Sequence, residues 1–516
     1  MKTRKFPRKN SLLIAFLTVS TCMAIFILII ITKDTSLVTE RVIEKWETPL
    51  KDALHILSSG QILKKVRETN PNLPAASMPK ADVNNAETCA RYATIYNIKH
   101  NNLYWQVQDI VNDTYYLFGA YYDGRPKIGP SVRIIGIRQA AWLNMTTKLY
   151  CQLWFPGHQR TIIAKVHYVQ YLWREKWNFE DYPLKPYMLS CMIPPEYHGW
   201  VPDSVSLVEN PCDNATNNLR VVNNQPQGEK REFFVCVKSL NFRNNPGVAI
   251  RMVEWLELLK ILGAEKVVFH ALQLNPRLEQ VLNYYKRTWN IEVIPTSLPG
   301  TLPNVPDFMI NFLSAKFVHK IFHELIDYND CFYKNFNLFH FVVLLDIDEV
   351  LVPMGSLQTW HEMMYNVLLP RAKNMSYVSH TFAARNAFVM DDTKEYGDWM
   401  AGVPRYMHML QNVHRMVNYT EYGARIKAFH LTEKTLALHN HYTRTCVGER
   451  GEILEWCNTF DIPMDVGYLL HYCVRRSKSE CSVKRGENLT VDNTLFKYKT
   501  ELVATTKKAM LKIGFL

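Results

Sequence analysis

The chain has 516 residues and a formal net charge of +12 at pH 7. Such a charge would suit a nucleic-acid-binding protein, but five of the cations lie within the first nine residues and no basic block is interleaved with aromatic residues. The composition therefore argues against nucleic acid as a partner and indicates a basic surface with a mild attraction for anionic ligands.

Residues 12–31 form an uncharged, largely apolar run that follows a cluster of Lys and Arg residues. About 20 apolar residues span a bilayer as one helix, and preceding cations keep the N-terminus on the cytoplasmic side. A cleaved signal peptide is the alternative, but its apolar core is usually only about 7–15 residues long. We therefore expect a cytoplasmic tail at residues 1–11, a transmembrane signal anchor at 12–31, and a type II topology with the rest of the chain in the lumen or outside the cell.

Ten of the eleven cysteines follow this run, and no C-x-x-C motif occurs. This pattern favours disulfides in an oxidising compartment over zinc binding. Spacing suggests two local pairs, Cys446 with Cys457 and Cys473 with Cys481. Six N-x-S/T sequons permit glycosylation; they are at Asn112, Asn144, Asn214, Asn374, Asn418 and Asn488.

Residues 32–86 have the composition of a stem. A charged segment of good helix formers at 37–69 predicts a membrane-proximal helix, and the prolines that follow predict an extended linker. Residues 87–228 predict a β-rich N-terminal subdomain, because aromatic and β-branched runs recur in them. We expect its strands near residues 102–107, 115–122, 132–137 and 161–169.

From residue 229 to 490 apolar strands alternate with amphipathic helices. Strands are predicted at 233–237, 266–270, 291–295 and 341–345, and helices at 247–262, 276–289 and 315–328. The opening βαβαβ pattern is typical of a doubly wound, nucleotide-binding α/β sheet. Neither G-x-G-x-x-G nor G-x-x-x-x-G-K-[ST] occurs, so we expect any phosphate to be bound through a metal. We expect residues 491–516 to be a C-terminal tail.

The strand at 341–345 leads directly into Asp346, Asp348 and Glu349. Ligands of such sheets lie beyond the carboxyl ends of the strands. In an extended segment Asp346 and Asp348 point to one side and Glu349 to the other, where a structural role is expected. Two carboxylates suit a hard divalent cation that keeps positions open for water and phosphate. The alternative is an acidic strand end that merely meets solvent.

Four segments, in this order, resemble glycosyltransferase family 92: Trp255 to Ala264, Asp330-Cys331, Leu345 to Pro353, and Leu470-His471-Tyr472. The resemblance covers roughly residues 229–481. It implies a GT-A-like α/β fold in the Golgi membrane and the transfer of a hexose, often galactose, from a nucleotide sugar such as UDP-galactose. The acceptor would be a glycan on a glycoprotein or glycolipid, and the cofactor a divalent metal, most simply Mn²⁺. One departure is that the family usually follows His-Tyr with Arg, whereas here Cys473 intervenes before Arg475 and Arg476.

In such an enzyme a metal bridges the phosphates of the leaving nucleoside diphosphate and neutralises the charge that grows there. We assign Asp348 and Asp346 as metal ligands, with donor ribose or a metal-bound water as the alternative partner of Asp346. By the resemblance His471 supplies the last protein ligand, with His439 and His441 as rivals. Lys238 is assigned to donor binding, with a solvated lysine as the alternative.

If the reaction inverts the anomeric carbon, a carboxylate must deprotonate the acceptor hydroxyl. Asp391 and Asp392 follow an apolar run and are the candidates, although a simple turn also explains them. Two other functions fit the motifs. One is a haloacid-dehalogenase-like phosphatase with Asp346 as nucleophile and Asp348 as acid, and the other is an anchored glycan-binding protein without turnover.

Overall fold

The structure is a computed structural model that describes residues 58–74, 89–93, 96–140, 148–158, 160–174, 182–391, 399–473 and 488–516. The predicted anchor, most of the predicted stem and Asp392 lie outside these residues. None of the helices found in the described ranges is long and apolar enough to cross a membrane. The chain divides into residues 1–68 and residues 69–516. All but the last residue of helix α1 (Ser59–Thr69) belong to the first part, and the helix lies within the one predicted for the stem.

Strands predominate in the rest of the described chain, and most of the helices lie between β9 and β14. The strands are β1 (Gln106–Ile110), β2 (Asp113–Asp123), β3 (Ser131–Ala140), β4 (Tyr150–Trp154), β5 (Ile162–Tyr171), β6 (Leu184–Met192), β7 (Ser204–Val208), β8 (Leu219–Val222), β9 (Arg231–Asn241), β10 (Lys266–Gln273), β11 (Ile291–Pro295), β12 (Phe339–Leu344), β13 (Glu349–Pro353), β14 (Thr381–Ala384), β15 (Asn386–Met390), β16 (His414–Met416), β17 (Lys427–Leu431), β18 (Thr435–Leu438), β19 (Thr443–Val447), β20 (Ile453–Leu454), β21 (Thr459–Asp461), β22 (Gly467–Cys473) and β23 (Leu489–Val491). The helices are α2 (Val248–Leu262), α3 (Pro276–Thr288), α4 (Phe308–Ala315), α5 (Phe317–Asn335), α6 (Leu369–Lys373), α7 (His408–Gln411) and α8 (Lys499–Ile513), with a π-helical segment at Glu362–Leu368.

The first eight strands form one sheet in the order β1-β2-β3-β6-β5-β4-β7-β8. Because β8 also pairs with β2, with Ala120 opposite Val221, seven of these strands close into a barrel. The predicted β-rich region is therefore confirmed, and three of its four predicted strands match β2, β3 and β5. The strand predicted at 102–107 begins only at Gln106, because the Asn102 side chain accepts a hydrogen bond from the Tyr104 N–H and forms a turn.

A seven-stranded sheet follows, in the order β11-β10-β9-β12-β17-β14-β21. Its first four strands are parallel, and β9, α2, β10, α3 and β11 are the predicted βαβαβ unit, which is confirmed. Helix α2 ends at Gly263, which adopts the left-handed conformation (φ 103°) that glycine favours at a helix C-terminus. The chain thus has a mixed α/β fold.

Both faces of this sheet are covered. Helices α2, α3 and α8 contribute to the apolar core on one face, and α5 and the barrel contribute to the core on the other. A disulfide between Cys236 of β9 and Cys331 of α5 links the second face to the sheet. Covering both faces leaves the carboxyl ends of the parallel strands as the edge open to a ligand.

The expectation of disulfides is confirmed by the pairs Cys89–Cys212, Cys151–Cys191, Cys236–Cys331 and Cys446–Cys457. The last of these is one of the two predicted local pairs. Cys473 is also disulfide-bonded, while Cys481, its predicted partner, lies outside the described residues.

A further sheet has five strands in the order β13-β22-β15-β16-β23, and its strands interleave along the chain with those of the central, seven-stranded sheet. Strand β22 runs antiparallel to β13 and parallel to β15. The chain passes from β12 of the central sheet to β13 of this sheet through residues 345–348. The acidic residues are therefore located where the chain moves from one sheet to the other.

Candidate functional site

Asp346 and Asp348 lie in a turn rather than in an extended strand. Strand β12 ends at Leu344, and the Glu349 N–H donates to the Asp346 carbonyl at 3.0 Å. The Glu349 carboxylate in turn accepts the Asp346 N–H at 3.0 Å. The prediction that Glu349 points away from the two aspartates is therefore wrong, because the chain reverses between the two sheets and brings all three carboxylates into one cluster.

Two lysines hold the carboxylate of Asp346. Its Oδ2 lies 2.7 Å from Nζ of Lys238, near the end of β9, and 3.4 Å from Nζ of Lys427, at the start of β17. Although burial opposes it, these ammonium groups hold the pKa of Asp346 well below its usual range. The other oxygen, Oδ1, is buried and has no hydrogen-bond partner among the residues described. Asp346 is therefore ionised and has one oxygen available to a further ligand.

Glu349 is buried and fixes its neighbours. Its carboxylate lies 3.1 Å from Nζ of Lys427 and 3.4 Å from Nδ1 of His471. Its carbonyl accepts a hydrogen bond from the Trp255 indole of α2 at 2.8 Å. The structural role expected for Glu349 agrees with these contacts, and the role is to position Lys427 and His471.

Asp348 is the accessible carboxylate of the turn, with 47% of its side chain exposed. The nearest basic group in the described structure is Nε2 of His471, at 3.9 Å from Oδ2. Strand pairing brings the two together, since His471 lies opposite Glu349 and the Tyr472 N–H donates to the Asp348 carbonyl at 2.8 Å. Desolvation by the surrounding protein and repulsion by Asp346 and Glu349 raise the pKa of Asp348. A cation at this position would relieve that repulsion.

The rival histidines are engaged elsewhere. His439 stacks on Tyr442, with the ring centroids 4.4 Å apart. Nδ1 of His441 lies 3.0 Å from the Ile426 carbonyl, and burial, followed by the charge of Lys427, lowers the pKa of His441 to about 4. Of the three histidines, His471 is the one next to Asp348.

The side chains at the turn fit a cation that is bound partly by the protein and partly by the phosphates of a substrate. Within the described ranges no three His, Cys, Asp or Glu residues are grouped to hold a metal by themselves. Mg²⁺-like cations, however, are usually bound by one or two carboxylates together with substrate phosphates. The unpartnered Oδ1 of Asp346, the exposed carboxylate of Asp348 and Nε2 of His471 are suitable donors for such a site.

A cavity of about 280 Å³ opens beside this cluster. It is lined by residues at the carboxyl ends of β9 and β10 and by residues of α4 and α5; among them are Lys238, Asn241, Leu272, Leu313, His323 and Glu324. Three polar atoms in this lining are buried without a hydrogen-bond partner in the described part of the chain: Oδ1 of Asn241, Nδ1 of His323 and Oε1 of Glu324. Ligand pockets run from about 300 to 1,000 Å³, so this cavity is at the small end and has room for a group no larger than a nucleoside.

Lys238 belongs to both features, since it lines the cavity and pairs with Asp346. It also lies 3.8 Å from Oε1 of the buried Glu324. Although burial opposes it, Asp346 and Glu324 raise the pKa of Lys238. Lys238 is therefore a fixed ammonium between the cavity and the turn from Asp346 to Glu349, called the acidic turn. It is not the solvated lysine of the alternative interpretation.

A larger cleft of about 650 Å³ lies elsewhere, lined by residues that include His380, Lys434 and Glu452. In the sheet, Ala384 of β14 lies opposite Lys427, while Thr381 lies opposite His430. His380 therefore lies at the end of β14 remote from Lys427 and the acidic turn.

Asp391 also reaches the edge that holds the acidic turn. It follows β15, and its N–H donates to the Cys473 carbonyl at the end of β22, at 2.8 Å. Its carboxylate pairs with Arg251 at 2.6 Å and with His408. Three residues that contact the aspartates, Lys427, Arg251 and His408, were not anticipated from the sequence, because each comes from a remote element and no local motif marks it.

The family model described as glycosyltransferase family 92 matches residues 231–508, more than half of the chain. The chain belongs to glycosyltransferase family 92. The resemblance seen in the sequence is thereby confirmed. The match begins at β9 and ends within α8, so it includes the central sheet and the whole acidic turn, while the barrel precedes it.

No curated protein matches the chain. Among solved structures, HddC of Yersinia pseudotuberculosis is 12% identical, with 46% of this chain and 93% of that chain covered and a TM-score of 0.21. A glycosyl hydrolase family 2 member from Bacteroides cellulosilyticus is 8% identical, with 44% and 30% covered and a TM-score of 0.16. At these scores neither likeness establishes a shared fold.

Membership of family 92 assigns the chain as a glycosyltransferase, which uses a nucleotide-sugar donor and a glycan acceptor. The assignment disfavours the phosphatase alternative. The departure from the family pattern is at Cys473, a buried residue that is disulfide-bonded. Arg475 and Arg476 lie outside the described residues, while a different arginine, Arg251, reaches this edge from α2.

Proposed function

We propose that the chain transfers a hexose, with galactose as the expected sugar, from a UDP-sugar to a hydroxyl group of a glycan acceptor, with inversion at the anomeric carbon and with Mn²⁺ as cofactor. One observation carries the proposal: Lys238 lines the cavity and also pairs with Asp346 at 2.7 Å. A nucleoside in the cavity would therefore have its diphosphate beside Lys238 and the acidic turn. We propose a GT-A-like fold for residues 229–490, because the candidate site is at the carboxyl ends of parallel strands.

The chemical demand is to stabilise the diphosphate as it leaves with growing negative charge. The Lys238 ammonium is fixed by Asp346 and Glu324, so it can stabilise that negative charge without moving. A divalent metal held by Asp348, Asp346 Oδ1 and His471 would supply additional positive charge to the phosphate oxygens. Lys427 and Glu349 keep Asp346 and His471 in place.

We further propose a type II anchor at residues 12–31, retention in the Golgi membrane and a glycoprotein or glycolipid acceptor. The basic cluster before the apolar run supports this orientation. The four disulfide pairs support an oxidising compartment for the body of the chain.

The test is a donor screen with the full chain. UDP-galactose, UDP-glucose, UDP-N-acetylglucosamine, GDP-mannose and GDP-fucose are each incubated with glycans released from glycoproteins, with Mn²⁺ or with EDTA. We expect one UDP-hexose to add a single hexose, seen by mass spectrometry, and EDTA to abolish the product. p-Nitrophenyl phosphate is assayed in parallel, and its hydrolysis without sugar transfer would support a phosphatase instead.

Two variants make the screen specific for the site. Asp348→Ala should abolish transfer while the protein still folds. Asp465→Ala is the matched control, because Asp465 is exposed and precedes β22 at the end remote from His471. Full transfer by Asp348→Ala would refute the proposed role of the acidic turn, and no transfer by the unmodified chain with any donor would refute the proposed function.

A further inference from the structure

Two carboxylates lie on either side of the end of β22, which carries His471. Asp348 precedes β13 on one side, where its carbonyl accepts the Tyr472 N–H. Asp391 follows β15 on the other side, where its N–H donates to the Cys473 carbonyl. A donor bound at Asp348 would therefore lie next to Asp391, across the end of β22. An acceptor could approach the donor from the Asp391 side.

Asp391 itself is poorly suited to accept a proton. Its side chain is only 3% exposed, and its carboxylate accepts hydrogen bonds from Arg251 at 2.6 Å and from Nε2 of His408. Although burial opposes it, His408 and then Arg251 hold the pKa of Asp391 below its ordinary value. This carboxylate stays ionised, and its oxygens are occupied by Arg251, by His408 and by the side-chain amide of Asn412, which donates at 3.4 Å.

His408 is the neighbour that can act as a base. Because a carboxylate only accepts, Nε2 of His408 carries the hydrogen in its bond to Asp391, and the lone pair is on Nδ1. Nδ1 has no hydrogen-bond partner within the described structure, and the ring packs against Tyr472 with the centroids 5.3 Å apart. A histidine whose other nitrogen is bound by a buried aspartate is the arrangement that serves as a general base in hydrolases.

We propose that His408, oriented by Asp391, is the catalytic base that deprotonates the acceptor hydroxyl, an assignment that rests on the proposed inverting transfer. The hydroxyl proton passes to Nδ1, and the oxygen lone pair forms the bond to the anomeric carbon. The electron pair of the breaking bond between that carbon and the phosphate oxygen leaves on the nucleoside diphosphate. The Asp391 carboxylate stabilises the resulting imidazolium, which then releases its proton to solvent.

The charges around the ring agree with this role. Asp391, Arg251 and Asp348 are the charged groups that act on it, while Glu254 binds the His408 N–H and Tyr472 packs on the ring. Burial lowers the pKa of His408, although Asp391 opposes this effect. The imidazole is therefore neutral at neutral pH, and the nearby carboxylates favour the imidazolium only once a proton arrives.

The test compares variants of the full chain, using the donor that succeeds in the screen and the released glycans. His408→Gln can still donate to Asp391 but cannot accept a proton, so we expect kcat to fall by about 10² to 10⁴, the usual contribution of a general base. Binding of UDP with Mn²⁺, measured by calorimetry, should change less than about twofold, because a base contacts the acceptor and not the nucleotide. His361→Gln is the matched control, since His361 is an exposed histidine paired with Glu232.

A second variant separates chemistry from folding. In His408→Gly the space of the ring is open, and added imidazole should restore part of the lost kcat. Transfer by His408→Gln at more than about a third of the unmodified rate would overturn the assignment, as would loss of UDP binding without rescue by imidazole, which indicates a structural role. A chain that binds UDP but transfers no hexose to any acceptor would instead overturn the proposed function, and this inference with it.

Discussion

Glu254 of α2 should make the stability of the chain depend on pH. It is fully buried, and its carboxylate accepts the N–H groups of His408 at 2.5 Å, Met409 at 2.9 Å and Leu410 at 3.2 Å. Burial raises the pKa of Glu254 from 4.5 to about 7, although these three hydrogen bonds oppose the effect. The folded chain therefore holds this proton more tightly than the unfolded chain does.

The sign and the size of the effect follow from this difference. The stabilisation is fully present below pH 4.5 and is lost as the pH rises through about 7, where the buried carboxyl ionises. At about 1.4 kcal/mol for each tenfold change in proton affinity, the free energy of unfolding should fall by roughly 3 kcal/mol across this range. Because the carboxylate binds the backbone of His408, the same ionisation bears on the proposed base.

Glu254→Gln is the variant that tests this reasoning, because the amide oxygen, in the place of Oε2, still accepts the N–H groups of His408 and Met409 but the side chain does not ionise. Urea unfolding of the full chain, followed by fluorescence from pH 4.5 to 8, should show a shallower pH dependence than that of the unmodified protein. Glu279→Gln, an exposed position on α3, is the control and should follow the unmodified protein. Parallel curves for Glu254→Gln and the unmodified chain would refute the reasoning.

Two lysine variants should fail in different ways. Lys238→Met leaves Asp346 paired with Lys427, and Lys238 itself is 29% exposed, so we expect the chain still to fold. It should weaken UDP binding about tenfold, as measured by calorimetry, because a phosphate partner is lost; unchanged affinity would contradict its donor role. Lys427→Met should instead lower the free energy of unfolding by about 3–5 kcal/mol, because Lys427 is 3% exposed and its loss leaves Asp346 and Glu349 buried with one fewer cation. A thermal midpoint equal to that of the unmodified chain would contradict this second expectation.

The βαβαβ unit was predictable because its signals are local. Strand β11 coincides with its prediction, and α2 begins one residue after and ends at the predicted residue, with Gly263 as its stop. A strand buried on both faces gives a continuous apolar run, and a helix covering it gives a 3.6-residue period. Neither signal depends on where the rest of the chain lies.

The chemistry of the site depended on contacts that the sequence pattern does not contain. The apolar run before Asp346 continues as apolar residues after Glu349, so it gives no sign that the chain turns between two sheets. Lys427 meets Asp346 across 81 positions, and His408 meets Asp391 from a separate short helix. The sequence around Arg251 is that of any solvent-exposed basic residue on a helix. Arg251 meets its partner, Asp391, only because α2 packs beside the end of β15.

The formal charges of the acidic turn lead to a last prediction, on the metal. Asp346, Asp348 and Glu349 are balanced by the ammonium groups of Lys238 and Lys427, which leaves a net charge of −1 that repels a diphosphate. A bound dication would change this to +1, so UDP should bind the unmodified chain much more tightly with Mn²⁺ than with EDTA.

Asp348→Asn removes one negative charge and one metal ligand. Comparing its UDP binding in EDTA and with Mn²⁺ separates the effect of the charge from the effect of the metal. In EDTA this variant should bind UDP more tightly than the unmodified chain, by up to about fivefold, since an exposed charge contributes at most about 1 kcal/mol. With Mn²⁺ it should bind UDP more weakly than the unmodified chain does. Calorimetry in both conditions decides the matter, and weaker UDP binding by Asp348→Asn in EDTA would show that Asp348 contacts the donor directly instead of acting through a cation.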